Sequence, residues 1–442
     1  MSRDIGGTLR RELGVFGATM MGLGSIVGTG IFVSIGIAVG VAGPAVVLAI
    51  AVAAALAVCN ALSSAQLAAN HPTSGGTYEY GYTYLTPWLG FSAGWMFLCA
   101  KAASAATAAL GFAGYAFVAL GVPESGWRVA LALAAVVVLV ALVLSGLRRS
   151  NITNIIIVSV TLLALVFFVA AGLPSVLRSG SEHFTPFFES PNGDGRVAIL
   201  RVLEASALMF VAYTGYGRIA TMGEEVREPR RTIPRAIIIT LLVSMALYLA
   251  VGAVGVGAAG VSEFGAVGTE RGAPLAVVAR GFDIPGAGLV LSIGAVTAML
   301  GVLLNLVLGL SRVVLAMGRR GDLPRLFARV NAGGTTPAPA VVLVGAVILG
   351  LTAIGSIKLA WSFSAFTVLL YYAVTNLAAI RLPKAQRLYH PAIAWLGLLG
   401  CLSLAFWVEP RVWLAGLGVL GLGLVTRWLF HLRRSASAES TR

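Results

Sequence analysis

The chain has 442 residues, of which 58% are hydrophobic and only 11% charged, with a formal net charge of +14. A soluble domain carries about 25% charged residues, because water meets its surface on every side. So little charge excludes an ordinary soluble globular protein and predicts a single domain solvated by lipid.

Twelve apolar runs follow one another: 15–40, 42–69, 89–120, 128–147, 152–173, 198–223, 233–258, 286–317, 338–355, 360–380, 392–409 and 412–430. Each is close to or above the roughly 20 residues a helix needs to cross a hydrocarbon core. A membrane barrel would show shorter runs alternating in polarity, and a stretch such as VALALAAVVVLVALVL does not alternate. Helices also satisfy their own backbone where lipid cannot. The expected fold is therefore an all-α polytopic membrane protein with 12 transmembrane helices. A transporter domain over 15–430 is flanked by an N-terminal segment, 1–14, and a tail, 431–442. The opening MSRDIGGTLRREL lacks the apolar core and cleavage site of a secretory leader, so the first run is expected to stay as a membrane helix.

Of the 31 lysines and arginines, twenty lie in segments or run ends that share a side with the N-terminus, eight lie on the opposite side, and the remaining three, Lys101, Arg218 and Arg312, are assigned to neither. Basic residues mark the cytoplasmic side, which predicts that both termini are cytoplasmic. The positive charge is thus a topology signal with attraction to anionic lipid as a by-product, and no nucleic-acid partner is expected. Cys59, Cys99 and Cys401 sit singly in apolar runs without metal-site or disulfide spacing.

The first run reads GATMMGLGSIVGTGIFVSIG, with Gly24, Gly28 and Gly30 around Ser25 and Thr29. Glycines so placed serve either close helix packing or a break in the helix where a ligand meets bare backbone. A dinucleotide fingerprint is excluded by the spacing and by the lack of a preceding strand. The sixth run repeats the pattern as MFVAYTGYGRIATMGEEV, with Gly215 and Gly217 among Tyr213, Thr214 and Tyr216. Two interrupted helices five spans apart are what a 5+5 inverted repeat produces. The repeats would span about 15–173 and 198–380, with helices 11 and 12 (about 392–430) added. At each break one half-helix offers N–H groups and positive dipole to a carboxylate, and the other offers carbonyls to an ammonium. A zwitterionic α-amino acid fits both.

At these residues the sequence resembles the amino acid–polyamine–organocation (APC) superfamily over nearly its whole length. The resemblance rests on GSIVGTGIF in the first run, on HPTSGGTYEYGY (71–82), similar to the family's cytoplasmic loop, and on AYTGYGRIATMGEEVREPRRTIPRAI (212–237). LNLVLGLSRVVLAMGRRGDLP and YYAVTNLAAIRLP are similar to a bacterial branch close to cationic amino acid transporters. The resemblance implies amino acid transport by alternating access across the inner membrane of a prokaryote, driven by protons or by sodium, with no cofactor. Exchange of amino acids, or carriage of amines and polyamines, are the alternatives; a sensor or membrane enzyme lacks any catalytic constellation here. A monomer or weak homo-oligomer is expected.

By the same resemblance, Ser25, Gly28, Thr29, Gly30, Thr214 and Gly215 surround the substrate, with the Thr29–Gly30 backbone on its carboxylate. The carbonyls of Ile26, Ala212 and Tyr213 accept from its ammonium, and Phe210, Tyr213 and Tyr216 are candidates for an aromatic gate. The family's acidic residue two places after the sixth-run glycine is Gly217 here, followed by Arg218. Some proton-coupled relatives carry a lysine mid-way along helix 5; this chain has none, and Thr161 lies near that place. An ionisable residue within a membrane helix is a functional candidate by default. Lys101 in the third run is therefore a candidate for coupling or, alternatively, a structural amine bonded to the carbonyls of a broken helix. Arg218 is a candidate for gating or for pairing with Glu224 or Glu225. No cationic substrate partner is evident, because Glu204 lies ten residues before Thr214, about 15 Å along a helix.

Overall fold

The computed structural model describes residues 13–71, 75–122, 126–146, 151–188, 196–220, 226–270, 272–331 and 336–439. Eight helical stretches among them are long and apolar enough to cross a membrane, and three shorter apolar helices, Arg128–Leu144, Ala338–Ala353 and Pro391–Ala405, accompany them. The chain is an all-α, multi-pass membrane protein.

The first helical stretch is α1 (Val15–Ile26), a π-helical turn over Gly30–Ser34, and α2 (Ile35–Ala42). Gly43, at φ 61°, and Pro44 then reverse the chain into α3 (Val46–Asn70), because glycine enters that backbone region freely and proline fits a first helical turn. The segment similar to a cytoplasmic loop is not wholly a loop, since a short helix, α4, forms over Thr77–Tyr84. The long α5 (Pro87–Leu120) starts with the Thr86 hydroxyl accepting from the Leu89 N–H at 3.3 Å and proline at its first position. Next come α6 (Arg128–Leu144) and α7 (Asn151–Ser179). The sixth expected run is α8 (Ala198–Tyr213), a 3-10 turn over Thr214–Tyr216, and α9 (Gly217–Ala220).

The stretch α10 (Pro229–Glu270) bends at Gly260, whose φ of 73° and ψ of 173° are not helical. It is followed by α11 (Pro274–Arg280), α12 (Ala287–Arg320), α13 (Ala338–Ala353), α14 (Ile357–Ile380), α15 (Pro391–Ala405) and α16 (Pro410–Glu439).

α5 runs through the middle and packs on α12 and α14, while α3 lies against α8 and α10, and α1 against α7 and α10. Large apolar side chains cover the outside, among them Val137, Val138, Leu163, Leu396, Leu422 and Trp428. That inversion of the soluble pattern is expected where the outer solvent is hydrocarbon. One end of the bundle gathers α4, the C-terminal ends of α12 and α14 and the loop after α14, where Asn70 donates to the Gln386 carbonyl at 2.7 Å. The opposite end holds His183 against the Gly257 carbonyl, at 2.7 Å, and Arg280 donating to the Val118 carbonyl at 2.6 Å. The interrupted segments face each other between these ends.

Candidate functional site

Both glycine-rich runs are interrupted where their patterns place the glycines. In the first, the Val27 N–H reaches the Leu23 carbonyl at 2.7 Å as the last bond of α1. The chain resumes with the Ile31 and Phe32 N–H groups both on the Gly28 carbonyl, each at 3.1 Å. Gly28, Thr29 and Gly30 thus stand at the N-terminal end of the second half-helix, which carries the positive end of its dipole. The other interruption is the tightened turn Thr214–Tyr216, which leaves the last carbonyls of α8 facing the same region.

The two interruptions meet backbone to backbone. A Cβ on Gly215 would fall on the Ser25 carbonyl and 2.6 Å from the Ile26 nitrogen; one on Gly30 would lie 2.7 Å from the Ala212 Cβ. One on Gly28 would lie 2.6 Å from a methyl of Val302 on α12. Contact this close admits no side chain, which is the physical reason for glycine at these three positions. The glycines therefore both pack tightly and mark the interruptions.

Interrupting a helix in a low-dielectric interior frees carbonyls that need donors. Hydroxyls from neighbouring helices supply them. Tyr248 of α10 places its hydroxyl 2.8 Å from the Ile26 carbonyl and 3.1 Å from that of Ala212, spanning both interruptions. Tyr372 of α14 donates to the Thr214 carbonyl at 3.1 Å, and Tyr115 of α5 to the Phe32 carbonyl at 2.7 Å. Within the half-helices themselves, the Asn154 amide of α7 donates to the Met20 carbonyl at 3.0 Å and the Trp361 indole to that of Leu208 at 2.9 Å, bracing both segments against their neighbours. None of these residues stands out in the sequence as the glycines do. Their signal is a polar side chain in an apolar run, as with the tyrosines of MALYLAVG and LLYYAV.

Lys101 reaches this junction. Its ammonium donates to the Thr214 hydroxyl at 2.8 Å, and that hydroxyl in turn bonds the Val211 carbonyl at 2.7 Å. On the same face of α5, Phe97 packs on Tyr371 with ring centres 5.1 Å apart, and Ser104 bonds Ser364 at 2.8 Å. Lys101 therefore points into the bundle, between the interrupted α8–α9 segment and α14.

The model of the family described as amino acid permease matches residues 17–426. The chain belongs to the amino acid permease family. The permease is 40% identical to an uncharacterized transporter of Mycobacterium tuberculosis, over 99% of this chain and 96% of that protein. It is 30% identical to a branched-chain amino acid permease of Bacillus subtilis, over 97% of this chain and 94% of the relative. A vacuolar cationic amino acid transporter of Arabidopsis thaliana is 27% identical over 64% of this chain and 45% of its own length. These relatives are transporters, and the permease is a membrane transporter rather than an enzyme.

The other expected residues of the permease are spread around the junction. Phe210 and Tyr216 both pack on Tyr372, with ring centres 5.7 and 5.5 Å away. Tyr213 points elsewhere: it packs on Tyr248 with ring centres 4.9 Å apart and lines a small apolar recess of about 110 Å³ between α3 and α10. The Ser25 hydroxyl bonds the Met21 carbonyl at 3.0 Å, within its own helix. The buried Thr29 hydroxyl has no hydrogen-bond partner among the described residues. Thr161 of α7 likewise bonds back to its own helix, on the Ile157 carbonyl at 2.7 Å. Arg218 lies on α9 near α12, its guanidinium 3.7 Å from where a Gly309 Cβ would stand. Glu224 and Glu225, its expected partners, lie outside the described residues. Glu204, at the far end of α8, is buried against Arg196 at 2.7 Å and does not reach the junction.

A second polar cluster, missed in the sequence, lies at the α4 end of the permease. Asp322, just past α12, is paired with Arg427 of α16 at 3.0 Å, with side chains only 2% and 6% exposed. Tyr78 and Tyr82 of α4 donate to the other Asp322 oxygen at 2.7 and 2.5 Å. Arg320 pairs with Glu79 at 2.5 Å and covers the Tyr82 ring at 4.0 Å. Burial, reinforced by the Asp322 carboxylate, pushes both phenols above the usual tyrosine range, so they remain donors.

Proposed function

We propose that this membrane protein carries amino acids by alternating access, with its substrate held between the interruptions of the first and sixth transmembrane segments. The reading counts twelve spans arranged as a 5+5 inverted repeat plus two helices, with both termini cytoplasmic. The observation that carries it is the meeting of Gly30 with Ala212 and of Gly215 with Ser25, which brings two half-helix ends of opposite polarity together. The N–H groups of Thr29 and Gly30 receive the substrate carboxylate, and the α8 carbonyl end receives its ammonium.

Ser25, Ile26, Gly28, Phe210, Ala212, Tyr213, Thr214 and Gly215 complete the site. The Tyr248 hydroxyl, already on the Ile26 and Ala212 carbonyls, gives way to the ammonium as the site opens. The backbone contact describes a closed junction, and substrate enters when a bundle of the first, second, sixth and seventh spans rocks against the rest. Coupling is to protons. Lys101, bonded to Thr214 at the interruption, reaches the site, whereas Thr161 bonds within α7.

The test is uptake of labelled amino acids by the purified protein in liposomes with imposed pH or sodium gradients. Accumulation driven by an inward proton gradient is expected. Failure of all twenty amino acids to enter or exchange under either gradient overturns the reading. Competition by decarboxylated analogues as strong as by amino acids would reassign the carrier to amines.

A further inference from the structure

We infer that Lys101 makes the site selective for amino acids whose side chain ends in a carboxylate. The inference rests on the transport reading above and assigns the substrate class of that same site.

A lysine in the middle of a membrane helix is held in one of three ways: by a carboxylate, by freed backbone carbonyls, or by a ligand. The first does not occur among the described residues. Their buried acids are engaged elsewhere, Glu204 with Arg196 and Asp322 with Arg427, and Lys101 bonds the Thr214 hydroxyl. The second is not seen either, since Lys101 bonds a hydroxyl rather than a carbonyl and the carbonyls around it already hold donors. The Thr214 carbonyl is taken by Tyr372, the Val211 carbonyl by the Thr214 hydroxyl, and the Ile26 and Ala212 carbonyls by Tyr248.

A neutral hydroxyl does not neutralise an ammonium, and it uses one of three donors. Lys101 is also half-buried where Ala100, Ala102 and Ala103 beside it are buried. It faces the bundle interior, as the contacts of Phe97 and Ser104 on its own face establish, and its amine stands at the junction on the Thr214 hydroxyl. Thr214 directly follows Tyr213, whose carbonyl is assigned to the substrate ammonium. A side chain leaving the substrate there meets the Lys101 ammonium. A carboxylate satisfies it with charge-assisted bonds. A cationic side chain is repelled: like charges about 5 Å apart at an effective dielectric of about 20 lower affinity on the order of a hundredfold.

The experiment is competition for uptake in liposomes by glutamate, aspartate, leucine and arginine, on the wild type and on Lys101→Met, Lys101→Arg and Lys101→Glu. In the wild type the acidic amino acids should outcompete leucine by more than about tenfold, with arginine weakest. Lys101→Met should collapse the glutamate-to-leucine ratio by at least about tenfold, Lys101→Arg should preserve it, and Lys101→Glu should turn preference toward arginine. The ratio is read because it cancels any general loss of folded protein.

Leucine competing as well as glutamate in the wild type overturns the inference. So does an equal loss for all four in Lys101→Met, which would place the amine on the shared α-carboxylate or in coupling. Succinate, which lacks the ammonium, should not compete; equal competition would make the ligand a free dicarboxylate and overturn the assignment. Uptake of other amino acids but no acidic preference defeats this inference alone, whereas no uptake at all defeats the transport reading beneath it.

Discussion

The side chain that ties the two interruptions together is Tyr248. Its single hydroxyl lies within hydrogen-bonding range of carbonyls on two different segments, 222 and 36 residues away in sequence. It is fully buried, so water has little access to replace it. Removing one partner of a buried hydrogen bond costs about 1–3 kcal/mol, because the remaining group stays desolvated. Tyr248→Phe keeps the ring that packs on Tyr213 at 4.9 Å and deletes only the donor. Its apparent melting temperature in detergent should therefore fall by several degrees. An unchanged value would mean that the two carbonyls find other donors once the hydroxyl is gone.

At the scale of elements, the residues that interrupt the helices were legible and those that support the interruptions were not. Gly28, Gly30 and Gly215 declare themselves because glycine is costly within a helix, and a cluster of them beside Ser25, Thr29 and Thr214 needs a reason. Tyr248, Tyr372, Tyr115 and Asn154 carry no such local cost, and their meaning depends on which helices the fold makes neighbours. The same holds at the α4 end. Asp322 reads as a turn residue and Arg427 as a basic residue flanking a span. Only the fold joins them, together with Tyr78 and Tyr82 from a segment expected to be a loop.

That cluster anchors α16, whose membrane-length stretch Pro410–Phe430 is only 22% buried, against 33% or more for the other seven. A helix so poorly embedded needs specific tethers, and the charged one among the described residues is the Arg427–Asp322 pair at 3.0 Å, beside the Trp95 indole on the Val419 carbonyl at 2.9 Å. Deleting one member of a buried pair costs about 3–5 kcal/mol, since it strands the other charge. Arg427→Met should lower thermal stability sharply. Arg427→Met with Asp322→Asn should recover most of the loss, because the amide carbonyl still accepts from the two tyrosines. If both variants fall equally, the tether is packing around the arginine stem rather than charge.

For the whole molecule, orientation in the membrane follows from charge that the fold leaves at its ends. Arg319, Arg320, Arg381, Lys384 and Arg387 cluster at the end that holds α4, part of the twenty basic residues assigned to that side against eight on the other. Basic segments tend to stay on the cytoplasmic side during insertion, so the asymmetry predicts a cytoplasmic α4 end. Orientation is therefore written in composition and independent of how the site works. Lys384, in the loop after α14, and Ser262, past the bend of α10 at Gly260, are both exposed and lie at opposite ends. With Cys59, Cys99 and Cys401 replaced, a cysteine at Ser262 should react with a membrane-impermeant maleimide in intact cells. A cysteine at Lys384 should react only after permeabilisation. The reverse pattern would invert the orientation while leaving the fold untouched. It would also mean that proton-driven uptake enters the junction from the α4 end, past the Asp322 cluster, which would make that cluster a gate on the substrate path rather than an anchor for α16.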